Sequence, residues 1–179
     1  MLAVIRRKCF ISYHHADQAA VNQFVRDFDH IDNSLIARGL GTEMPGDVIN
    51  SNNTDYVMAK IRERFLSDST VTIVLMGRCT WARRYVDWEI QSSLRQGVYS
   101  TPNGLLGIKL PSFSSFPPRF LNNLSSDWPN VDCYARHMDY PSSTADLVAA
   151  IERAFEHRTT HAKLIKNSRD RMLYNRQCP

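Results

Sequence analysis

Thr70 to Met76 reads TVTIVLM: rich in β-branched residues, almost continuously apolar, and closed by Gly77. A half-exposed strand alternates apolar and polar residues. A run apolar on both faces needs cover on both, and that belongs to a strand in the middle of a parallel sheet with helices above and below. This stretch limits the chain to an α/β architecture.

The flanking segments agree. Lys8 to Tyr13 (KCFISY) reads as a buried first strand, and His14-His15-Ala16 leads to Asp17 as a helix N-cap. Val21, Phe24, Val25, Phe28 and Ile31 recur at helical spacing, which predicts a helix over 17–32. Leu35 to Leu40 reads as a weak second strand, followed by a glycine- and asparagine-rich loop to residue 53. Thr54 to Phe65 resumes helical spacing, and Leu105 to Leu110 and Val131 to Met138 read as further strands. Residues 111–130 read as a long proline- and serine-rich surface loop. Ser143 and Asp146 form a capping-box pattern ahead of a closing helix through Phe155. The expected fold is an open, mostly parallel sheet of about five strands with helices on both faces. Residues 1–157 form one such domain, and 158–179 a basic C-terminal extension, helical or frayed.

One acid stands out. Wound as a helix at about 100° per residue, Trp81 to Gln96 places Trp81, Tyr85 and Trp88 on an aromatic ridge and Val86, Ile90 and Leu94 nearly opposite. Arg84, Asp87, Gln91 and Arg95 fill one gap as a solvated stripe. Glu89 lies in the other gap, with only Ser92, Ser93 and Gln96 as polar neighbours. A carboxylate between apolar faces is costly unless it is paired, held in a cleft, or used. The bland alternative is a rim glutamate held by an arginine such as Arg83. In a doubly wound sheet, ligands bind beyond the carboxyl ends of the strands at the switch point. Tyr13, His14 and His15 therefore fall close to Gly77–Trp81, and Glu89 lies in the helix that follows.

Other chemistries find no support. The turn YHHAD holds no glycine, so neither a dinucleotide fingerprint nor a P-loop is present, and no G-x-S-x-G elbow occurs. The strand ends lack the aspartates of a phosphoacceptor receiver. His14 and His15 have no dense acid or histidine cluster beside them, so no metal is expected, and His157 and His161 read as solvated. Cys9, Cys79, Cys133 and Cys178 stand far apart without zinc spacing and are expected to be reduced thiols in a cytoplasmic protein. No apolar run approaches the roughly 20 residues of a membrane span, and MLAVIRRKCFISY lacks the charge order of a signal peptide. Net charge is +4, concentrated after residue 153. Without an RNA-binding aromatic motif beside it, that tail argues for a solvated helix end over nucleic acid.

CFISYHHAD, TVTIVLMG and TWARRYVDWEI, in that order and spacing, resemble the TIR-like domains of bacterial antiphage defence, those of Thoeris systems in particular. The resemblance covers about residues 8–110. It implies a flavodoxin-like TIR fold and cleavage of the nicotinamide–ribose bond of NAD⁺, with NAD⁺ as substrate and no cofactor. It makes Glu89 the catalytic carboxylate and implies that Ser12, Tyr13, His14 and Asp17 line the NAD⁺ pocket, with the loop Gly41 to Asp47 as a flap. Tyr13 or an exposed member of the Trp81/Tyr85/Trp88 ridge, Trp81 foremost, is a candidate stacking surface, while at least two of the three are expected to pack against the sheet. The implied product is a cyclised or otherwise modified ADP-ribose that activates a separate effector. Implied partners are a phage-derived trigger and a second copy of the chain. The competing class is a non-catalytic TIR scaffold, to which Glu89 would be indifferent; a nucleoside glycosyl-transfer enzyme would share the carboxylate but prefer another substrate.

Overall fold

A computed structural model describes residues 6–29, 35–38, 53–98, 100–125, 127 and 132–179. Five parallel strands form one sheet in the order β2-β1-β3-β4-β5: β1 (Arg7–Tyr13), β2 (Leu35–Arg38), β3 (Val71–Met76), β4 (Gly104–Lys109) and β5 (Arg136–Asp139). This is the flavodoxin-like order, and its direction reverses between β1 and β3. There Ser12 is in register with Val74 and Tyr13 with Leu75. Every residue of β3 is buried, as a run without a polar face requires.

Period-two alternation sorts the side chains into two cores. Cys9 and Ile11 of β1 join Ile73 and Leu75 of β3 on one face, against Val21, Phe24 and Phe28 of α1 (Gln18–Phe28) and Leu147 and Ile151 of α5 (Thr144–Thr160). On the other face, Val74 and Met76 pack with Val86, Ile90 and Leu94 from α3 (Arg84–Ser93) and its end, and with Phe120 of α4 (Pro118–Asn122). Phe10 meets Trp88 together with Val57 and Ile61 of α2 (Thr54–Ile61), and Tyr85 flanks them. Two of the three ridge aromatics thus pack inward. Ser12 shares the parity of Phe10, so it faces α3.

The helix expected from Trp81 is broken at Arg83, whose backbone is extended at φ −100° and ψ 121°. Trp81 sits in a separate 3₁₀ turn, Thr80–Ala82, and the wheel holds only from Arg84 to Ser93. The supposed surface loop 111–130 carries α4, with Pro118 in its first turn where a missing N–H costs nothing. α4 buries Arg119 and Phe120 completely. β5 runs over Arg136–Asp139, later than the expected Val131–Met138, because Cys133, Tyr134 and Ala135 are core residues ahead of the strand. The 3₁₀ turn His15–Asp17 precedes α1, and the Asp17 carboxylate does not cap it. Ser143 does cap α5, its hydroxyl accepting the Asp146 N–H at 3.2 Å. His157 is buried against the Tyr134 carbonyl at 3.1 Å, not solvated.

The largest departure is the tail. After Thr160 the chain makes the 3₁₀ turn Ala162–Leu164 and runs as a strap across α3. It covers Arg84, Asp87 and Gln91 of the stripe expected to face solvent, while Arg95 stays exposed, and Asp87 is only 1% exposed. The Arg119 guanidinium pairs with both Asp87 carboxylate oxygens at 3.0 and 3.2 Å and donates to strap carbonyls of Arg169 and Asp170 at 2.9 and 3.3 Å. The Met172 amide donates to Asp87 at 2.9 Å, and the Trp88 indole donates to the Met172 carbonyl at 2.8 Å. Cys178, near the end of the strap, is disulfide-bonded to Cys79, with Cα atoms 5.7 Å apart. The expectation of four reduced thiols is corrected there, because the strap brings together two residues 99 positions apart.

Candidate functional site

At the switch point the Ser12 hydroxyl donates to Glu89 Oε2 at 2.6 Å. Ser12 is 1% exposed, delivered from the end of β1 by strand parity; Glu89 comes from the middle of α3. Protein walls the Glu89 carboxyl while part of the residue stays open to solvent. This confinement pushes its pKa up to about 7 against the opposing effect of the Ser12 hydrogen bond. No arginine is bonded to it among the described residues. A lone half-open carboxyl with a near-neutral pKa can hold a proton or, once ionised, face a positive charge without competition.

The helix bearing Glu89 is pinned at both ends. A directional chain runs from Asn103 Nδ2 to Thr72 Oγ1 at 3.2 Å, Thr72 to Ser93 at 2.7 Å, and Ser93 to the Glu89 carbonyl at 2.8 Å. At the other end stand Asp87, Arg119 and the strap.

Asp17 forms the opposite side of the turn. The Thr80 hydroxyl accepts the Gly77 N–H at 2.9 Å and donates to Asp17 Oδ2 at 3.3 Å. Burial raises the Asp17 pKa, and the Thr80 hydrogen bond partly offsets this. Gly77 leaves this space open: a Cβ there would collide with the Asp17 carboxylate. His14 is 9% exposed and packs edge-on to His15 at 4.4 Å. Burial, then the positive charges of Arg83 and His15, lower its pKa to about 4, so it is neutral at pH 7.

Of the residues predicted from sequence, Ser12 and Glu89 meet directly, and Asp17 and His14 lie in the adjoining turn. Tyr13 points to the other face, packing beside the α1 core and donating to Gln18 at 2.8 Å. Trp81 is half-buried in the Thr80–Ala82 turn. The flap 41–47 lies outside the described residues. Sequence reasoning placed Gly77–Trp81 beside this turn but gave Thr80 and Gly77 no role. A glycine closing a central strand, with a hydroxyl three residues on, was their available signal. Among the described residues no group of three or more His, Cys, Asp or Glu converges on a metal position. A cleft of about 1080 Å³ opens elsewhere, between Phe116, Leu121, His137 and Lys166. No carboxylate lines it.

No helix among the described residues is long and apolar enough to cross a membrane. No curated protein matches the chain. A family model does match, that of the TIR-like domain of the Thoeris protein ThsB, over residues 10–115, more than half the chain. The matched segment contains the end of β1 from Phe10, β3, the Thr80 turn and all of α3, the elements that place Ser12 beside Glu89. The chain belongs to the ThsB TIR-like domain family of Thoeris antiphage defence.

Proposed function

We propose that this chain cleaves the nicotinamide–ribose bond of NAD⁺ and turns the rest of the molecule into an ADP-ribose-derived signal. The observation that supports this is the Ser12–Glu89 pair, an isolated carboxyl of near-neutral pKa held at the switch point of a TIR-like sheet. When the bond breaks, the nicotinamide nitrogen takes both electrons and leaves neutral, and positive charge develops on ribose C1′. A carboxylate kept from bulk water stabilises that charge more strongly than a hydrated one. Cationic nicotinamide favours the ionised form of Glu89 as it enters, while Ser12 fixes one carboxylate oxygen and leaves the other for the ribose.

His14 is neutral and offers hydrogen bonds without charge repulsion, and Asp17 with Thr80 borders the same cleft. Capture of C1′ by water, which gives up a proton, yields ADP-ribose. Capture by a nitrogen of the same molecule's adenine yields a cyclic product. The proposed outcome is the cyclic one, made from cytoplasmic NAD⁺ after a phage-derived trigger, in a homo-oligomer, and passed to a separate effector.

The test is paired expression of wild type and Glu89→Gln with a neighbouring effector gene, phage challenge, and mass spectrometry of the nucleotide pool. An ADP-ribose-derived species made only by wild type is expected. Equal protection by both proteins with no new nucleotide would identify a scaffold instead.

A further inference from the structure

The strap has two parts, held in different ways. From Lys166 to Met172 its contacts are buried or partly so: Arg119 reaches Asn167, Arg169 and Asp170, Asn123 exchanges hydrogen bonds with Lys166 at 2.9 and 2.8 Å, and Met172 is clamped by Asp87 and Trp88. Beyond Met172 the chain is open. Leu173 and Tyr174 are 63% and 78% exposed. The non-covalent attachments there, among the described residues, are few. The Arg84 amide donates to the Asn175 side chain at 3.0 Å, the Arg84 guanidinium to the Leu173 carbonyl at 3.3 Å, and the Arg176 amide to the Ala82 carbonyl at 2.8 Å. The two Arg84 bonds are solvent-exposed and exchange with water at little net cost, while the Arg176 bond ends on the buried Ala82. The covalent Cys79–Cys178 bond is therefore the strongest tie on the last residues.

That bond does not end on an inert surface. Cys79 directly precedes Thr80, whose hydroxyl bonds Gly77 and Asp17 beyond the ends of β3 and β1. The Cys79 carbonyl also accepts the Ala82 N–H at 3.1 Å and the Arg83 side chain at 3.3 Å. Both bonded cysteines are half-buried, so a small thiol has an approach to the sulfurs, whereas Cys9 and Cys133 are buried and free.

We propose that Cys79–Cys178 is a reversible thiol–disulfide site that latches the end of the strap to the Thr80 turn and so controls the order of the cleft beside Asp17. A dithiol reductant opens it. One thiolate attacks a disulfide sulfur and the S–S bond breaks through a mixed disulfide, which the second thiolate resolves. Two electrons and two protons pass from the dithiol, which leaves as its own disulfide, and Cys79 and Cys178 become thiols. A small disulfide oxidant reverses the exchange. In the open state residues 173–179 leave the surface as far back as the Met172 clamp, and the 79–84 segment loses its outer support.

The full chain, oxidised with glutathione disulfide or reduced with dithiothreitol, is compared by hydrogen–deuterium exchange and by intact mass after alkylation. Reduction is expected to add two alkylation sites and to speed exchange about tenfold or more in 173–179 and 79–84, while 165–172 is unchanged. Cys178→Ser should show the open pattern under both conditions. The latch is overturned if the oxidised protein carries no Cys79–Cys178 link, or if exchange in these two segments is the same in both states. Control of the cleft rests on the NAD⁺ reading and has its own arm: reduction should slow NAD⁺ cleavage about tenfold, with Cys178→Ser insensitive to redox state. Equal turnover in both states overturns that control. Absence of turnover in both when desalted extract of phage-infected cells supplies the trigger, with exchange still responding, upholds the latch and overturns the NAD⁺ reading instead.

Discussion

Ser12 and Glu89 are 77 positions apart in sequence, yet the serine hydroxyl donates to the glutamate carboxylate at 2.6 Å. The pair joins the end of β1 to the middle of α3 across the point where the sheet order reverses. Glu89 ordinarily titrates near 4.5, and confinement moves it to about 7.

The raised pKa makes a stability prediction independent of any substrate. Glu89 binds its proton more tightly in the folded chain than in the unfolded one. Its stabilising effect is therefore full below about 4.5 and is lost as pH rises through about 7. Partial exposure reduces the size, so wild type should lose on the order of 1–3 kcal/mol from this group across that window. Glu89→Gln should remove that part of the slope and be the more stable protein at pH 8 while losing NAD⁺ cleavage. Urea denaturation at pH 5 and pH 8 checks this; identical slopes for the two proteins would count against it.

Ser12→Ala removes the one group that lowers the Glu89 pKa, so the carboxyl should titrate higher still. Carbon-13 NMR of the glutamate carboxyl reads this directly, and the acidic limb of the NAD⁺ cleavage profile should move the same way. Loss of the hydrogen bond should cost about 1 kcal/mol in stability. A carboxyl that titrates unchanged in Ser12→Ala would show that the contact does not act on it.

Arg119→Met strands the Asp87 carboxylate in the interior. A broken buried ion pair typically costs about 3–5 kcal/mol, and the double change Arg119→Met/Asp87→Asn should recover a large part of it. The strap loses its inner anchor in the single variant, so protease should cut at 165–172 before the sheet unfolds. Additive losses in the double-mutant cycle would refute the coupling.

Gly77→Ala places a methyl where the Asp17 carboxylate lies. The aspartate side chain has to turn away and give up Thr80, which should destabilise the protein by about 1–3 kcal/mol. Asp17→Ala in the same chain makes room, so the double variant should be more stable than Gly77→Ala alone in thermal melts. If Asp17→Ala gives no relief, the crowding lies elsewhere.

The sheet was legible because its signals are local. TVTIVLM has no polar face to expose, the apolar spacing after Asp17 suits only a helix, and Ser143 with Asp146 marks a helix start in one glance. Glu89 stood out for the same reason: its neighbours within two helical turns are enough to show that it faces away from the stripe of Arg84, Gln91 and Arg95. Strand parity brought Ser12 to the same side once the order of the sheet was in place.

What the sequence alone determined, then, was the strand–helix alternation and an acid in an apolar setting. Tertiary structure decided everything that depends on residues far apart in the chain. Asp87 reads as a solvated acid on the helix wheel, and it is buried because the strap and Arg119 arrive from 32 to 85 positions away. Arg119 sits in a proline-rich stretch that reads as loop, and its burial is tolerable only because Asp87 and strap carbonyls together take up its donors. Cys79 and Cys178 meet for the same reason. Periodicity reports the faces of one element, whereas the cover each face receives is set by long-range packing, which leaves no periodic trace in the sequence.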